Sequence, residues 1–392
     1  MGRATVLQEV LNMRFEDVYG RFTQGRLNCD EASDLLGISV SSFRRRRRRY
    51  EEEGLAGLAD GRLGKASARR VPVDEVNEML ALFETRYFDF TVKHFQDKLV
   101  ASHGYTRSYS WTKSTLQAHG KVTKALRRGA HRRKRPRRPL PGMMLHQDGS
   151  THQWVAGQWW DLIVTLDDAT SEIYSAFFVA EEGTQSCFRA FGEVIEAKGL
   201  FNSLYADRAG HYWHTPKAGG KVDKANPTQV GRALAQLGIE LIPAYSPEAR
   251  GRSERMFGTL QNRLPQELRL AGITTMAEAN RFLREVYLPE HNALFAIEPE
   301  EPGAAFVTWA GAGLADILTT QEERTVGNDN TVAYKRLTLQ IPEDSHRHHY
   351  VKAKVKVHEY HGGQLAIFHG PRCLARYDPK GDLLQEHNQK VA

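Results

Sequence analysis

Residues 143–180 read MMLHQDGSTHQWVAGQWWDLIVTLDDATSEIYSAFFVA, and this stretch decides the fold of the centre of the chain. Its apolar runs MMLHQDGS, QWWDLIVTLDDAT and EIYSAFFVA predict three strands, the last two joined by a short turn at 167–171. A helix over about 184–198 should follow, then strand FNSLYAD, helix PTQVGRALAQLG, strand IELIPA and a long helix over about 250–271. Three hairpin-type strands followed by two strand–helix units predict a mixed α/β sheet with helices on its faces.

The length and charge of the chain indicate several domains. Its 392 residues exceed what one hydrophobic core usually organises. The formal net charge is +7, but residues 1–142 contain 29 lysines and arginines against 16 acidic residues, so the remainder is net acidic. This asymmetry suits a basic, nucleic-acid-binding front half joined to an acidic back half able to bind metal.

The cysteine content and the hydropathy indicate a reducing, aqueous compartment. Three cysteines, far apart and odd in number, argue against a disulfide framework and a cysteine-rich zinc site. No stretch approaches the roughly 18 apolar residues of a membrane span, and the N-terminus lacks the apolar block of a signal peptide. No G-x-x-x-x-G-K-[ST] run occurs, so no nucleotide cofactor is expected. We expect a soluble cytoplasmic protein without a membrane partner.

A helix-turn-helix is predicted within residues 1–60. The segment NCDEASDLLGISVSSFRRRRRRY, residues 28–50, has apolar residues at helical spacing on both sides of Gly37, and Ser39 can cap the second helix. That helix carries six consecutive arginines: Arg44, Arg45, Arg46, Arg47, Arg48 and Arg49. They sweep around the whole helix and so fit a phosphate-lined groove better than a protein core, although a solvated charged helix is the alternative.

Residues 71–120 predict a second helical domain. Three helical patterns within it are compatible with a second helix-turn-helix or with a plain helical bundle. A basic linker over 121–142 follows, with prolines that oppose helix. Its residues Arg132, Arg133, Lys134 and Arg135 are expected to contact a phosphate backbone.

Residues 324–380 predict a small β-barrel. The runs TVAYKRLTLQIP, YVKAKVKVHEY and QLAIFHG alternate apolar and basic residues, as in strands with one wet face. Five histidines between 346 and 361 favour a solvated or phosphate-facing stretch over a metal site, because no cysteine pair completes a zinc pattern.

Three carboxylates stand where chain elements begin or end, which is where chemistry is usually placed. Asp148 lies in LHQDGST of the first strand, Asp207 ends the strand SLYAD, and Glu254 enters the long helix in YSPEARGRSERMFG. A hard divalent cation such as Mg²⁺ takes a few carboxylates together with water and phosphate oxygens. Two such ions can activate the attacking oxygen and stabilise the leaving one in phosphoryl transfer.

Other carboxylates compete with these three. Asp167 and Asp168 are adjacent, so in a strand their side chains face opposite sides, and a turn role is preferred for both. Glu248 precedes the presumed helix, and its six-residue distance from Glu254 is a poor helical repeat. Glu254 instead shares a face with Gly258 and Gln261, and also with Arg250, which leaves a small residue where DNA must approach.

The blocks Asp148-Gly-Ser-Thr, Asp207-Arg-Ala-Gly and YSPEARGRSER, residues 245–255, resemble the three signature blocks of the integrase-core (retroviral-integrase-like, DDE) transposases of bacterial insertion sequences. The chain is most similar to the ISNCY group. The resemblance implies an RNase H-like catalytic core over 143–300, in which the metal-binding triad is Asp148, Asp207 and Glu254.

The resemblance also implies an activity and its partners. We expect cleavage of double-stranded DNA at transposon ends and transfer to target DNA, with Mg²⁺ or Mn²⁺, two ions per site, and a homo-oligomer assembled on DNA at the bacterial nucleoid. Further DNA contacts are expected beside the third carboxylate, from Arg250, Arg252 and Arg255. The alternative is a DNA-binding regulator derived from a catalytically inactive transposase.

The interval between the second and third carboxylates of the triad is longer than in compact integrases. Asp207 and Glu254 are 47 positions apart, and the excess lies in HYWHTPKAGGKVDKANP. This loop is interpreted either as an insertion over the active-site rim that touches DNA through Lys217, Lys221 and Lys224, or as a disordered lysine-bearing loop. His211 in the same loop is either an assistant near the scissile phosphate or a loop residue.

Overall fold

The computed structural model describes residues 3–60, 70–124, 136–217, 220–245, 251–311, 313–343 and 346–384. By internal contacts the chain divides into two units, Met1–Leu80 and Ala81–Ala392. In the described parts of the chain, no helix is both long enough and apolar enough to cross a membrane.

The first unit contains the predicted helix-turn-helix. Its helices are α1 (Arg3–Thr23), α2 (Cys29–Leu36), α3 (Val40–Glu53) and α4 (Leu55–Leu58). Asn28 and Glu31 form a capping box that begins α2, Gly37 ends it at φ 65°, and Ser39 caps α3. The shared apolar face comprises Phe15, Val18, Ala32 and Phe43. The turn and the cap are where the sequence predicted them.

Three further helices fill the region predicted as a second helical domain: α5 (Val73–Thr85), α6 (Val92–His103) and α7 (Tyr109–Ala118). Thr91 caps α6 and Ser108 caps α7. The hydroxyl of Thr112 donates to Gln96 Oε1 at 2.5 Å, which joins α7 to α6 through a buried polar contact.

The central sheet has the mixed topology predicted for an RNase H-like, integrase-like core. It contains β1 (Leu145–Val155), β2 (Gln158–Asp167), β3 (Ile173–Val179), β4 (Ser203–Ala206) and β5 (Glu240–Pro243) in the order β3-β2-β1-β4-β5. The pairs β1–β2 and β2–β3 are antiparallel, whereas β4 is parallel to both β1 and β5. The turn predicted between the second and third strands is present at 168–172.

Helices cover both faces of this sheet. The helices α8 (Thr184–Lys198) and α9 (Gln229–Gln236) pack into one apolar cluster. The other cluster holds α10 (Gly251–Gln261), α11 (Leu264–Leu270), α12 (Met276–Phe282) and a π-helical turn (Leu283–Tyr287), after which α13 (Leu288–Phe295) continues.

The prediction of one long helix over about 250–271 is wrong. The chain forms two helices, α10 and α11, with a break at Asn262 and Arg263. Pro265 stands in the first turn of α11. A proline inside a continuous helix removes a backbone hydrogen bond and clashes with the preceding turn, whereas the first turn of a new helix tolerates it.

The C-terminal region forms antiparallel sheets without closing into the expected barrel. After α14 (Leu314–Ile317) come β6 (Thr320–Thr325), β7 (Thr331–Tyr334), β8 (Leu337–Gln340), β9 (Lys354–Glu359), β10 (Leu365–His369), β11 (Arg372–Tyr377) and β12 (Leu383–Leu384). The strand order is β12-β11-β10-β9-β6, with β7-β8 as a separate pair. Closure would require β6 to pair with β12, and no such pairing exists among the described strands. The two sheets share one apolar core.

Candidate active site

Asp148 lies on the sheet face that α10 covers. It occupies the fourth position of β1, is 8% exposed, and is the antiparallel partner of Val164 in β2. Directly paired residues on adjacent strands project from the same face. Val164 packs in the apolar cluster that includes Met256 and Phe257 of α10. Asp148 therefore points toward the layer that carries the third predicted carboxylate.

Asp207 directly follows β4, the strand that runs parallel beside β1. His146 of β1 pairs with Tyr205 of β4 in the parallel register, and the rings of these two residues lie 5.3 Å apart. Continuing this register by two residues places Asp207, the first residue after β4, opposite Asp148. Neighbouring strands are about 4.8 Å apart. A backbone turn in which Ala209 N donates to Asp207 Oδ1 at 2.9 Å follows the strand.

Glu254 faces the same strand from α10. The helix buries Ser253, Met256, Phe257 and Leu260, while Glu254 is exposed. Residues seven positions apart lie on the same side of a helix, so Glu254 shares its flank with Gln261. Gln261 Nε2 donates to Ser150 Oγ at 2.9 Å. The flank that carries Glu254 is therefore turned toward β1, where Ser150 follows Asp148 by two residues.

The donor chemistry of these three side chains fits a hard divalent cation, because Mg²⁺ and Mn²⁺ prefer carboxylate oxygens. The register of β1 with β4, continued by two residues, would set the two aspartates side by side. Among the described residues, however, no three His, Cys, Asp or Glu side chains stand close enough to hold one ion. The elements that carry the triad are in place around β1, without the three carboxylates meeting in one cluster.

The two competing aspartates have different roles. Asp167 is a turn residue, as predicted: its Oδ1 accepts from the backbone of Ala169 and Thr170 at 2.8 and 2.9 Å, and its Oδ2 accepts from Gly142 at 2.8 Å. Asp168 does more than close a turn. Its fully buried carboxylate lies 2.7 Å from His146 Nε2 and is ion-paired with Arg252.

The arginines predicted to bind DNA have unequal environments. In the run 44–49, Arg47 is half-buried, 3.4 Å from Glu51 and over the Phe22 ring, whereas the other five are exposed. Arg255 is exposed on α10. Arg252 has an internal partner in Asp168 and a side chain only 15% exposed, so the structure gives it a role inside the core that the sequence did not indicate.

The other predicted contacts, Arg132, Arg133, Lys134, Arg135 and Arg250, lie outside the described residues.

The loop between β4 and α9 is anchored in the core. Tyr212, Trp213 and Val222 are buried in the cluster with α8 and α9, and the Tyr212 hydroxyl donates to Gln147 Oε1 at 2.7 Å. Burial raises the pKa of Tyr212 well above its ordinary value, which keeps the phenol a neutral donor. The adjacent aromatic residues Tyr212 and Trp213 in an otherwise polar loop were the sequence signal for this anchoring.

The polar residues of this loop do not belong to the buried cluster that anchors it. Lys217, Lys221 and Lys224 are exposed, so the surface of the loop is basic. His211 lies with Nε2 3.4 Å from Glu182 Oε1. The Glu182 carboxylate in turn lies against Gly149, at the position that a side chain on that glycine would occupy. His211 is therefore linked through Glu182 to the residue after Asp148.

Comparison with known proteins agrees with this architecture. Residues 21–66 match the family described as a helix-turn-helix domain. The chain is 30% identical over 357 residues to the putative transposase y4bF of Sinorhizobium fredii, which covers 90% of this chain and 77% of the relative. It is 25% identical over 307 residues to the transposase for insertion sequence IS1202 of Streptococcus pneumoniae, covering 69% of this chain and 66% of the relative.

Solved structures of viral integrases show weaker likeness. A simian T-cell lymphotropic virus intasome in complex with the PP2A regulatory subunit B56 gamma matches with a TM-score of 0.34 and 14% identity, over 71% of this chain and 91% of that chain. The HTLV-2 integrase catalytic core domain in complex with magnesium matches with a TM-score of 0.28 and 16% identity, over 38% and 89%. The fold assignment rests on the strand order above. The chain belongs to the transposases by the extent of its identity to y4bF, and the strand order of its central sheet is that of an integrase-like core.

Proposed function

We propose that this transposase uses DDE chemistry: metal-dependent cleavage of DNA strands at transposon ends and transfer of the freed ends into target DNA. The proposal rests above all on the register of β1 with β4, which, continued by two residues beyond the paired positions, would bring Asp207 beside Asp148. The flank of α10 that bears Glu254 faces the same strand through the contact of Gln261 with Ser150. The convergence of these three elements on β1 supports the assignment of the three carboxylates to one site.

The proposed reaction consists of two phosphoryl transfers at one site. In the first, water attacks a phosphodiester at the transposon end, the bond from phosphorus to the 3′ oxygen breaks, and a 3′-hydroxyl is freed. In the second, that hydroxyl attacks a phosphodiester of target DNA and displaces another 3′ oxygen. One or two bound Mg²⁺ or Mn²⁺ ions would supply activation of the attacking oxygen and stabilisation of the leaving oxygen.

The residues of the chain have separate tasks in this scheme. Asp148, Asp207 and Glu254 provide the carboxylate oxygens of the metal site. Positive charge toward double-stranded DNA comes from two groups of residues. These are the exposed arginines of α3 with the exposed Arg255, and Arg250 with the linker residues 132–135. Neutralisation of phosphates by such residues gives affinity without reading sequence. Two DNA ends must be joined in concert, so we propose a homo-oligomer with one active site on each end.

Nicking of end DNA tests the proposal. The full-length protein is incubated with DNA that carries the inverted repeats flanking its gene, with Mg²⁺, with Mn²⁺ or with EDTA. Asp148→Asn, Asp207→Asn and Glu254→Gln each remove a charge and almost no volume, so each should abolish nicking and joining while end binding persists. Near-normal cleavage by any one variant would remove that residue from the triad.

The same experiment distinguishes the enzyme from the alternative function, a DNA-binding regulator with an inactive core. Such a regulator would bind the ends and leave them intact with either metal, and the three variants would behave like the wild-type protein. The acidic residues at all three triad positions favour the enzyme.

A further inference from the structure

Asp168 joins two elements of the proposed active site. It directly follows β2 and is fully buried. Its carboxylate receives donors from different parts of the chain: the backbone N–H of Arg138 at 2.8 Å, the His146 ring at 2.7 Å and the guanidinium of Arg252. Its own N–H donates to Met144 O at 3.0 Å. Asp168 is therefore fixed to the start of β1 and holds the start of α10.

The contact with Arg252 is difficult to break. Removing one partner of a buried ion pair leaves an uncompensated charge in the interior, which is strongly unfavourable. Arg252 lies in the first turn of α10, two residues before Glu254. Any displacement of this turn along the sheet would stretch the ion pair between Arg252 and Asp168. The ion pair thus fixes the N-terminal end of the helix.

A second contact fixes the other end of α10. Gln261, the last residue of the helix, donates to Ser150 of β1. The Asp168 carboxylate that pairs with Arg252 also contacts His146, and Gln261 contacts Ser150. Helix α10 therefore runs alongside β1, with Asp148 between the two contacts on the strand and Glu254 between them on the helix.

We infer that Asp168 is a positioning residue for Glu254 and acts through Arg252. This inference rests on the proposed function. Asp168 fixes the position of α10 along β1. It thereby fixes the position of Glu254 relative to Asp148 and Asp207. Misplacement of a catalytic group by about 1 Å can cost on the order of 100-fold in rate. The expected effect of breaking the ion pair is on turnover, with DNA binding preserved.

Steady-state nicking by the full-length protein tests this inference. Asp168→Asn keeps the size of the side chain and removes its charge, and Arg252→Met removes the other partner. Each should lower kcat by roughly 10- to 100-fold with KM for end DNA within about 2-fold of the wild-type value. The double variant should be no slower than the slower single variant, since both act through one contact. Arg252→Lys keeps the charge, so its kcat should be much closer to the wild-type value than that of Arg252→Met.

The control variant is Glu193→Gln, which removes a charge from the Arg189–Glu193 pair on α8, where Arg189 Nε lies 2.9 Å from Glu193 Oε1. Its kcat should equal that of the wild-type protein. Unchanged kcat in Asp168→Asn, or reductions that multiply in the double variant, would overturn the inference. Should Asp168→Asn fail to fold, equal kcat for Arg252→Lys and Arg252→Met would overturn it as well.

Amide hydrogen exchange provides a readout that does not need catalysis. In Arg252→Met, or in Asp168→Asn, amides of residues 255–258 should exchange faster, because they donate to the carbonyls of the first turn of α10, which is no longer anchored, while those of 259–261 change little. Unchanged exchange at 255–258 would overturn the inference. A wild-type protein that does not nick end DNA would instead overturn the proposed function and leave hydrogen exchange to decide the role of Asp168.

Discussion

Nε2 of His94 on α6 lies 2.6 Å from Oε1 of Glu267 on α11, and both side chains are almost fully buried. Lys98 Nζ reaches the same oxygen at 2.7 Å, and Arg263 Nη2 lies 2.7 Å from Asp97 Oδ2 alongside. Burial would raise the pKa of Glu267, but the hydrogen bonds from His94 and Lys98 outweigh it and lower the pKa. Helix α6 is therefore held on the catalytic core by a charged carboxylate.

Removing this carboxylate should destabilise the second unit. Glu267→Gln leaves Lys98 and His94 without their acceptor charge, and removal of one partner of a buried pair costs about 3 kcal/mol. Urea unfolding at neutral pH measures the change. The control is Glu285→Gln in the exposed pair with Arg284, which should change stability by less than about 1 kcal/mol. Equal effects of the two variants would contradict a stabilising role for the α6–α11 contact.

Alternate arginines of α3 should carry the salt dependence of DNA binding. Replacing Arg44, Arg46 and Arg48, all exposed, with Gln should weaken end binding and reduce the slope of log affinity against log salt by roughly one for each phosphate that is no longer neutralised. Fluorescence anisotropy over a range of salt concentrations gives the slope. Arg21→Gln, an exposed arginine of α1 outside the run, is the matched control. A slope that stays at the wild-type value would assign α3 to other contacts.

Two glycines of the first unit should respond oppositely to alanine. A Cβ on Gly57 would lie 2.2 Å from Arg49 O, so the backbone of α3 or α4 must move, and Gly57→Ala should cost about 1–3 kcal/mol. Gly20 lies inside α1 with nothing within 4 Å of such a Cβ, so Gly20→Ala should stabilise the helix by about 0.5–1 kcal/mol. Thermal unfolding of the two variants measures the difference, and a stabilised Gly57→Ala would show that α4 does not pack tightly on α3.

The stability of the core should fall in mild acid through His291. Burial lowers the pKa of His291 to about 4, below the ordinary value near 6.5. Between pH 6.5 and pH 4 the unfolded chain therefore binds more protons at this histidine than the folded chain does. The stability that comes from the neutral, buried imidazole is present above pH 6.5 and is lost as pH falls toward 4. From pH 7 to pH 5 this amounts to about 2 kcal/mol. His291→Phe should lose less stability than the wild-type protein over this interval in urea unfolding. Parallel decreases in the two proteins would exclude His291 as a source of acid sensitivity.

Subunits should act together on paired ends. Mixing Asp148→Asn subunits with subunits that lack the alternate arginines of α3 should restore concerted joining, because one partner supplies end binding and the other supplies the triad. Light scattering of the protein with and without paired end DNA should show assembly of at least a dimer. One protein per end, together with no recovery on mixing, would mean that each chain works alone on the end it binds.

The parts of the fold that depend on local sequence were predictable. Gly37 and Ser39 mark the turn and cap of the helix-turn-helix, and apolar runs mark the strand that carries Asp148 and the strand that ends just before Asp207. The break before α11 was also readable, because Pro265 lies inside the expected helix. The shape of the C-terminal sheets was not, since alternation along each strand is the same in an open sheet and in a closed barrel.

The contacts between distant elements could not be read from the sequence. Asp168 looked like a turn residue because its partner Arg252 lies 84 positions away and meets it only when α10 packs on β2. For the same reason Arg252, in a basic stretch, resembled a DNA contact. The prediction that Asp148 and Asp207 lie near each other came from strand ends, whereas the residue-by-residue register of β1 with β4 needed the structure.

The break between α10 and α11 limits how this protein can be recombined with its relatives. A chimera joined within 121–142 would separate Asp97 from Arg263 and His94 from Glu267, because Arg263 and Glu267 lie beyond the junction, at the start of α11 and within it. Exchange of α11 as well would disturb α10, because Leu264 and Leu268 are buried in one cluster with residues of α10. A chimera therefore has to keep Asp97 and His94 in the incoming helices.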